Sequence, residues 1–212
     1  MPQRLFVPLP DDRMPERLAR CVAGLAMFGL GISMFLASEL GVPAWDVFHQ
    51  GVSRRTDIPI GLVIEVSSLF VLLLWIPLRQ RLGLGTLLNA IEIGLVVYLI
   101  GDHLPDSDLL VWRFAYIVGA MLVVAIGSGL YIGAGLGSGP RDGLMLGLAQ
   151  RGISLRVART CVELTVLAAG LALGGSVGVA TVVFTLGIGP LVQIFLPRLR
   201  LGGDETKLAT AH

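Results

Sequence analysis

Gly137-Ser138-Gly139-Pro140-Arg141-Asp142-Gly143-Leu144-Met145-Leu146-Gly147 follows a long apolar run and is too short to cross a bilayer. Pro140 suits the first position of a helix, where its missing N–H costs nothing, and Asp142 in the first turn is favourable at the positive helix end. The same device occurs once before, in Gly41-Val42-Pro43-Ala44-Trp45-Asp46-Val47-Phe48-His49-Gln50-Gly51, where Pro43 and Asp46 take those roles. At an offset of 96, Asp46 falls on Asp142 and Gly51 on Gly147, and upstream Gly29, Ser33, Ala37 and Gly41 fall on Ala125, Gly129, Gly133 and Gly137. At an offset of 95, Gly83 falls on Gly178 and the ladder Thr86, Ala90, Gly94 on Thr181, Thr185, Gly189. The chain reads as an internal repeat. Each interruption, over about 41–54 and 137–151, predicts a short helix that either re-enters the membrane or lies at its surface.

Outward from these stretches the chain is apolar. Of its 212 residues 54% are hydrophobic and 15% charged, against roughly 25% charged in an ordinary soluble domain, and the mean hydropathy is +0.81. Too little polar surface remains to cover a water-soluble particle, so the bilayer is the expected solvent. Crossing about 30 Å of hydrocarbon takes roughly 20 apolar residues. Six stretches reach or approach that length: Leu18–Leu40, Pro59–Leu78, Leu84–Gly101, Leu109–Ala134, Leu155–Leu173 and Gly178–Leu196. The first is too long for a signal peptide, follows acidic Asp11 and Asp12, and is expected to remain uncleaved. The expected fold is an all-α membrane protein with two three-helix repeats, 18–101 and 109–197. A tail at 1–17, an acidic loop at 102–108 and a tail at 198–212 complete it. Three crossings per repeat is an odd number, so the second repeat must enter the membrane inverted.

Loop charges give the orientation. Of the 16 basic residues, Arg4, Arg13, Arg17, Arg20, Arg79, Arg81, Arg141, Arg151, Arg156, Arg159, Arg198, Arg200 and Lys207 fall on the N-terminal side, and only Arg54, Arg55 and Arg113 on the other. By the positive-inside rule both termini are expected in the cytoplasm of a bacterium, with the helices in its plasma membrane. The small residues recur every four positions, which puts them on one helix face and lets two backbones approach closely. The first, third, fourth and sixth spans are therefore expected to form the tight interior.

Gly137-Ser-Gly-Pro-Arg-Asp-Gly-Leu-Met, Arg159-Thr-Cys-Val-Glu163, Gly174-Gly-Ser-Val-Gly178 and Gly187-Ile-Gly-Pro190 together resemble the YczE-like group of small bacterial integral membrane proteins, distantly similar to the YitT group. The resemblance runs from about Leu18 to Pro197 and implies a plasma-membrane protein. It brings no substrate or reaction.

Within the spans, Glu65, Asn89, Glu92 and Glu163 are costly in hydrocarbon and need a partner, a proton or a watery cavity. Glu92, the most central, is the expected ion-coupling group with Asn89 one turn earlier, and Glu65 and Glu163 are further candidates. Arg159 and Glu163, four apart, can also simply pair. Arg141 beside the helix start at Gly137, Ser138 and Gly139 is the best anion-binding candidate, with Asp46 and Asp142 close by; Asp142 can equally neutralise it, or Arg141 can be a cytoplasmic anchor. His49 and His103 fall on the external side and are expected to be solvated. Cys21 and Cys161 lie in apolar runs and are expected to be free and buried.

A secondary transporter or permease for a small, anionic or other, solute, coupled to protons through those carboxylates, accounts for these features together. The alternative is a non-transporting accessory or scaffold protein of the same fold. An enzyme is the least expected, since no nucleophile with a base, no histidine pair and no metal-ligand spacing lies at one depth. No cofactor, metal or nucleic-acid partner is expected. The bilayer and a small-molecule or ion ligand are the expected partners, with homo-oligomerisation left open.

Overall fold

The computed structural model describes residues 6–105 and 108–201. Arg4, Lys207, most of the C-terminal tail, and Asp106 and Ser107 of the acidic loop lie outside them. Among the described residues the chain is all-helical: α1 Met14–Ser38, α2 Ala44–Thr56, α3 Ile60–Leu78, α4 Leu84–Ile100, α5 Leu110–Gly133, α6 Pro140–Ala149, α7 Leu155–Ala172 and α8 Val179–Leu199. Five of these, α1, α3, α4, α5 and α8, are long and apolar enough to cross a membrane. α7 has the length but carries Arg156, Arg159 and Glu163 within its 18 residues. The outer surface is itself apolar, with Val66, Ile76, Val111 and Leu186 each about 70% exposed. Such a surface belongs in lipid, and the chain is a multi-pass membrane protein.

Helix ends follow local chemistry. Pro15 and Glu16 open α1 and Ser154 caps α7, its side chain accepting from the Val157 N–H at 3.3 Å. Pro140 occupies the first turn of α6 as expected, whereas Pro43 stands one place earlier than expected, as the residue preceding α2.

α1 and α5 pack along one another at the centre, α4 lies against α1, and α8 against α5. Their directions oppose. Arg17 near the start of α1 donates to the Ala134 carbonyl just after α5 at 2.8 Å, and Glu39 just after α1 pairs with Arg113 near the start of α5 at 2.6 Å. Gly24 and Gly127 let the two backbones touch: a Cβ on either would come within 2.6 Å of the other's carbonyl oxygen. The ladder of small residues faces elsewhere, Gly29 toward α4 and Gly129 and Gly133 toward the end of α8.

The remaining helices are exchanged between the two parts of the chain. α2 packs on α7, and α6 on α3. The junctions that hold this exchange are paired. Thr86 Oγ1 donates to the Ser138 carbonyl at 2.7 Å and accepts the Gly83 N–H; Thr181 Oγ1 donates to the Val42 carbonyl at 2.8 Å and accepts the Gly178 N–H. Beside them the Gly85 N–H reaches the Leu136 carbonyl at 2.8 Å and the Ala180 N–H the Leu40 carbonyl at 3.0 Å. Gly41 and Gly137, at φ +99° and +124°, make the turns; a side chain on either would be both strained and pressed into the facing glycine backbone.

Two expectations change. Cys21 and Cys161 are free, but only Cys21 is buried; Cys161 is exposed, because α7 covers α2 and α6 with its other face. His103 is exposed as expected, whereas His49 is fully buried, since its face of α2 turns inward against α3.

Candidate functional site

The starts of α2 and α6 build the site, and they share an aspartate but differ in the residue that precedes the helix, Pro43 in one and Gly139 in the other. In α6, Asp142 is the third helical residue and its carboxylate lies against Gly139, the residue preceding the helix, whose backbone N–H faces it; this is the position of the reciprocal partner in a capping box. In α2 the same place is taken by Asp46, but the preceding residue is Pro43, which has no N–H to offer. Asp46, almost fully buried, instead accepts from His49 Nδ1 at 3.0 Å, one turn on. His49 Nε2 lies 2.8 Å from the Ser67 hydroxyl of α3, which also donates to the Ile64 carbonyl at 2.9 Å. With the one N–H of the neutral ring given to Asp46, Nε2 is an acceptor, and the Ser67 hydroxyl, placed between it and the Ile64 carbonyl, can donate to either.

Arg141 and Trp45 precede those aspartates. The Arg141 guanidinium lies over the Trp45 ring, 4.9 Å from its centre, a cation–π arrangement. Its nearest carboxylate oxygen is Asp46 Oδ1, 3.9 Å away across the two short helices. The expected neutraliser, Asp142, turns away to accept the Tyr131 hydroxyl at 3.1 Å. Arg141 is therefore an interior group rather than a surface anchor, with one quarter of its side chain accessible. Trp45 Nε1 is a buried donor with no acceptor among the described residues.

These groups face a cavity of about 370 Å³ that continues into a second of about 210 Å³; Trp45, Arg141, Arg159, Glu163, Phe28 and Ile188 line both. Arg159 and Glu163 form the expected pair at 2.9 Å. Of the other candidates, Asp46, Asp142, Asn89 and Gly139 also reach the cavity. Gly137 and Ser138 do not; they are spent on the junction with Gly83 and Thr86. Glu92 is half-buried on α4, outside the lining, and Glu65 packs its stem into the α3–α4 crossing at Gly94. No group of three or more His, Cys, Asp or Glu that could hold a metal ion occurs among the described residues.

The cavity lies where the two parts of the chain differ. α3 closes onto α4, so that a Cβ on Gly94 would collide with the Gly61 backbone and the Glu65 side chain. Gly189, 95 residues later on α8, has nothing within 4 Å of that position and opens on the cavity opposite α7. Where Gly61 permits close approach, the corresponding residue of α7 is Arg156.

Sequence reasoning misses Trp45, Tyr131 and His49 as site residues. Trp45 has a signal in the repeat, because it stands where Arg141 does; the other two are brought in only by the exchange of short helices.

The chain matches the model of a family of unknown function, DUF6198, over residues 15–197. It is 40% identical over 173 residues to an uncharacterized protein of Haemophilus influenzae, covering 81% of this chain and 79% of that one. It is 28% identical over 186 residues to the uncharacterized membrane protein YczE of Bacillus subtilis, 83% of each chain. With the uncharacterized protein YyaS of the same organism it shares 26% identity over 182 residues, 82% of this chain and 89% of the relative. No solved structure matches it.

Proposed function

The chain belongs to the DUF6198 family and is YczE-like, and from that premise we propose that it is a secondary transporter of a small solute bearing an anionic group, coupled to protons. In this reading the six spans form two inverted three-helix repeats, with α7 as the sixth span and α2 and α6 as re-entrant half-helices. Opposed α1 and α5 support the inversion, and so do the matched junctions at Thr86 and Thr181. Of the α7 charges that weigh against a lipid-facing span, Arg159 and Glu163 are accommodated by their pairing and by the cavity, as intramembrane ionisable groups require, and Arg156 is exposed in the first turn of the helix.

The observation that carries the reading is the unequal closure of equivalent helix pairs, tight at Gly94 and open at Gly189. A carrier built from inverted repeats alternates by exchanging the conformations of its two halves. The open α7–α8 gap is then one access state, and its closure with opening of α3–α4 is the other. Arg141, on its Trp45 platform, is the anion-binding group. The proton site is the buried Asp46–His49 pair, whose Asp46 lines the cavity beside Arg141 and whose His49 is backed by Ser67; Glu92, outside the lining, has no part in it.

In this reading the helices lie in the plasma membrane with both termini in the cytoplasm, which the distribution of basic residues supports; a cysteine at position 80, on a C21S/C161S background, should react only with reagents admitted to the inside. No enzymatic step, cofactor or nucleic-acid partner belongs to the proposal. The test of transport is uptake into proteoliposomes of purified protein, screened across labelled organic anions and zwitterions under an inward proton gradient. Uptake that collapses with the gradient is expected. Absence of uptake for every solute would favour the accessory or scaffold reading.

A further inference from the structure

The charges facing the cavity identify the class of solute, provided the cavity is the transport site proposed above. Two guanidiniums, Arg141 and Arg159, meet three carboxylates, Asp46, Asp142 and Glu163. Asp142 is satisfied by Tyr131 and Gly139, and Asp46 by His49. Two groups remain with capacity to spare. Arg141 makes no hydrogen bond to protein among the described residues, and its nearest carboxylate oxygen, at 3.9 Å, is beyond hydrogen-bond reach. Its fork suits a carboxylate. Glu163 gives one oxygen to Arg159, whose side chain is 58% exposed at the mouth of the cavity, and keeps the other.

A solute carrying only an anionic group would serve Arg141 while adding to the negative surplus. One carrying only an ammonium would relieve the surplus and leave the guanidinium unserved. A molecule with both serves the guanidinium without adding to the surplus and sets its ammonium against the spare oxygen of Glu163. The same cavity has an apolar, partly aromatic wall that includes Phe28, Val124, Phe184 and Ile188. The volume of about 370 Å³ lies at the small end of the roughly 300–1,000 Å³ range of small-molecule sites. We infer that the solute is a small zwitterion of the α-amino-acid type with an apolar side chain, its carboxylate on Arg141, its ammonium toward Glu163 and its side chain against the aromatic wall.

The experiment uses the full chain in detergent micelles and radiolabelled L-phenylalanine as probe. Its competitors are 3-phenylpropanoate, which lacks the ammonium, and phenethylamine, which lacks the carboxylate. Unlabelled L-phenylalanine should compete at least about tenfold better than either, since a site built for a polar group discriminates against an analogue lacking it. Arg141→Gln should remove the preference over phenethylamine, and Glu163→Gln the preference over 3-phenylpropanoate. Arg141→Lys, which keeps the charge and protects the fold, should still weaken L-phenylalanine binding because the fork is lost. Equal competition by either analogue, or no binding of L-phenylalanine to the folded protein, would overturn the inference. The two proposals fail separately. Binding of L-phenylalanine without uptake of any solute sinks transport and leaves the zwitterion site, whereas uptake of a singly charged solute by a protein that does not bind L-phenylalanine does the reverse.

Discussion

Arg141 lies over the ring of Trp45, 4.9 Å from its centre, and the two residues hold the same place, second in α6 and second in α2. A cation thus lies against an aromatic face at matching positions of the two short helices, and in the proposed reading Arg141 is the one that binds an anion. Trp45→Phe keeps a ring face and removes the unpartnered Nε1. A buried donor without an acceptor costs about 1–3 kcal/mol, so the variant should be at least as stable to heat as the parent. Trp45→Ala loses both ring and packing and should be destabilised by about 3–5 kcal/mol. Thermal unfolding in detergent checks both; a Trp45→Phe as unstable as Trp45→Ala would mean that Nε1 is bonded after all.

Thr86 and Thr181 close the two junctions with the same atoms in the same roles. Thr86→Val or Thr181→Val keeps the shape and leaves a carbonyl and an N–H unserved, at about 1–3 kcal/mol each. The two losses should be similar, and serine at either position should restore most of the stability. A large loss at one threonine with none at the other would argue against equivalent junctions.

Gly129 faces α8 with its Cβ position 2.9 Å from Leu199, and Gly133 comes within 3.0 Å of the Leu199–Arg200 backbone, whereas Gly189 has open space. Gly129→Leu and Gly133→Leu should lower folded yield, with a cost of about 1–3 kcal/mol or more from overpacking. Gly189→Ala should fold as the parent does, and measured yields after detergent extraction would show the contrast. Equal tolerance at all three positions would mean that the ladder faces lipid.

Much of the fold is legible from spacing alone. The six apolar stretches begin and end within about four residues of α1, α3, α4, α5, α7 and α8, and for the five that are apolar enough to cross a membrane, hydrocarbon thickness and helix rise account for the length. The alignment of Thr86 with Thr181 and of Gly41 with Gly137 pairs the residues that meet at the two junctions, although in the sequence they read only as members of small-residue ladders. The pair Arg159–Glu163 follows from a spacing of four. What spacing within a helix does not carry is the rotation of that helix about its neighbours. Glu92 and Asn89 are one turn apart, yet only Asn89 reaches the cavity. His49 lies in a polar stretch and is buried because α2 is laid between α3 and α7. Asp46 partners Arg141 in preference to Asp142 because Pro43 withholds the capping N–H, a consequence visible only once both helix starts are brought together.

The proposed proton site, Asp46 with His49, can be separated from the other carboxylates by a pH series. With the internal pH fixed, uptake by the parent should rise as the external pH falls, since a symported proton is then supplied. Asp46→Asn should flatten that dependence by removing the acceptor of the His49 proton. Glu92→Gln should retain it. A flat profile for Glu92→Gln with a normal one for Asp46→Asn would return the coupling role to α4.

The most direct test of exchange between the two halves is a cross-link at the gap. Arg156 and Gly189 correspond to Gly61 and Gly94, which touch in the closed half. In Arg156→Cys/Gly189→Cys on a C21S/C161S background, mild oxidation of the membrane-embedded protein should form a disulfide as α7 closes on α8. That bond should abolish uptake, and reductant should restore it. A protein that never forms the bond, or that transports as well with the bond in place, would contradict the account.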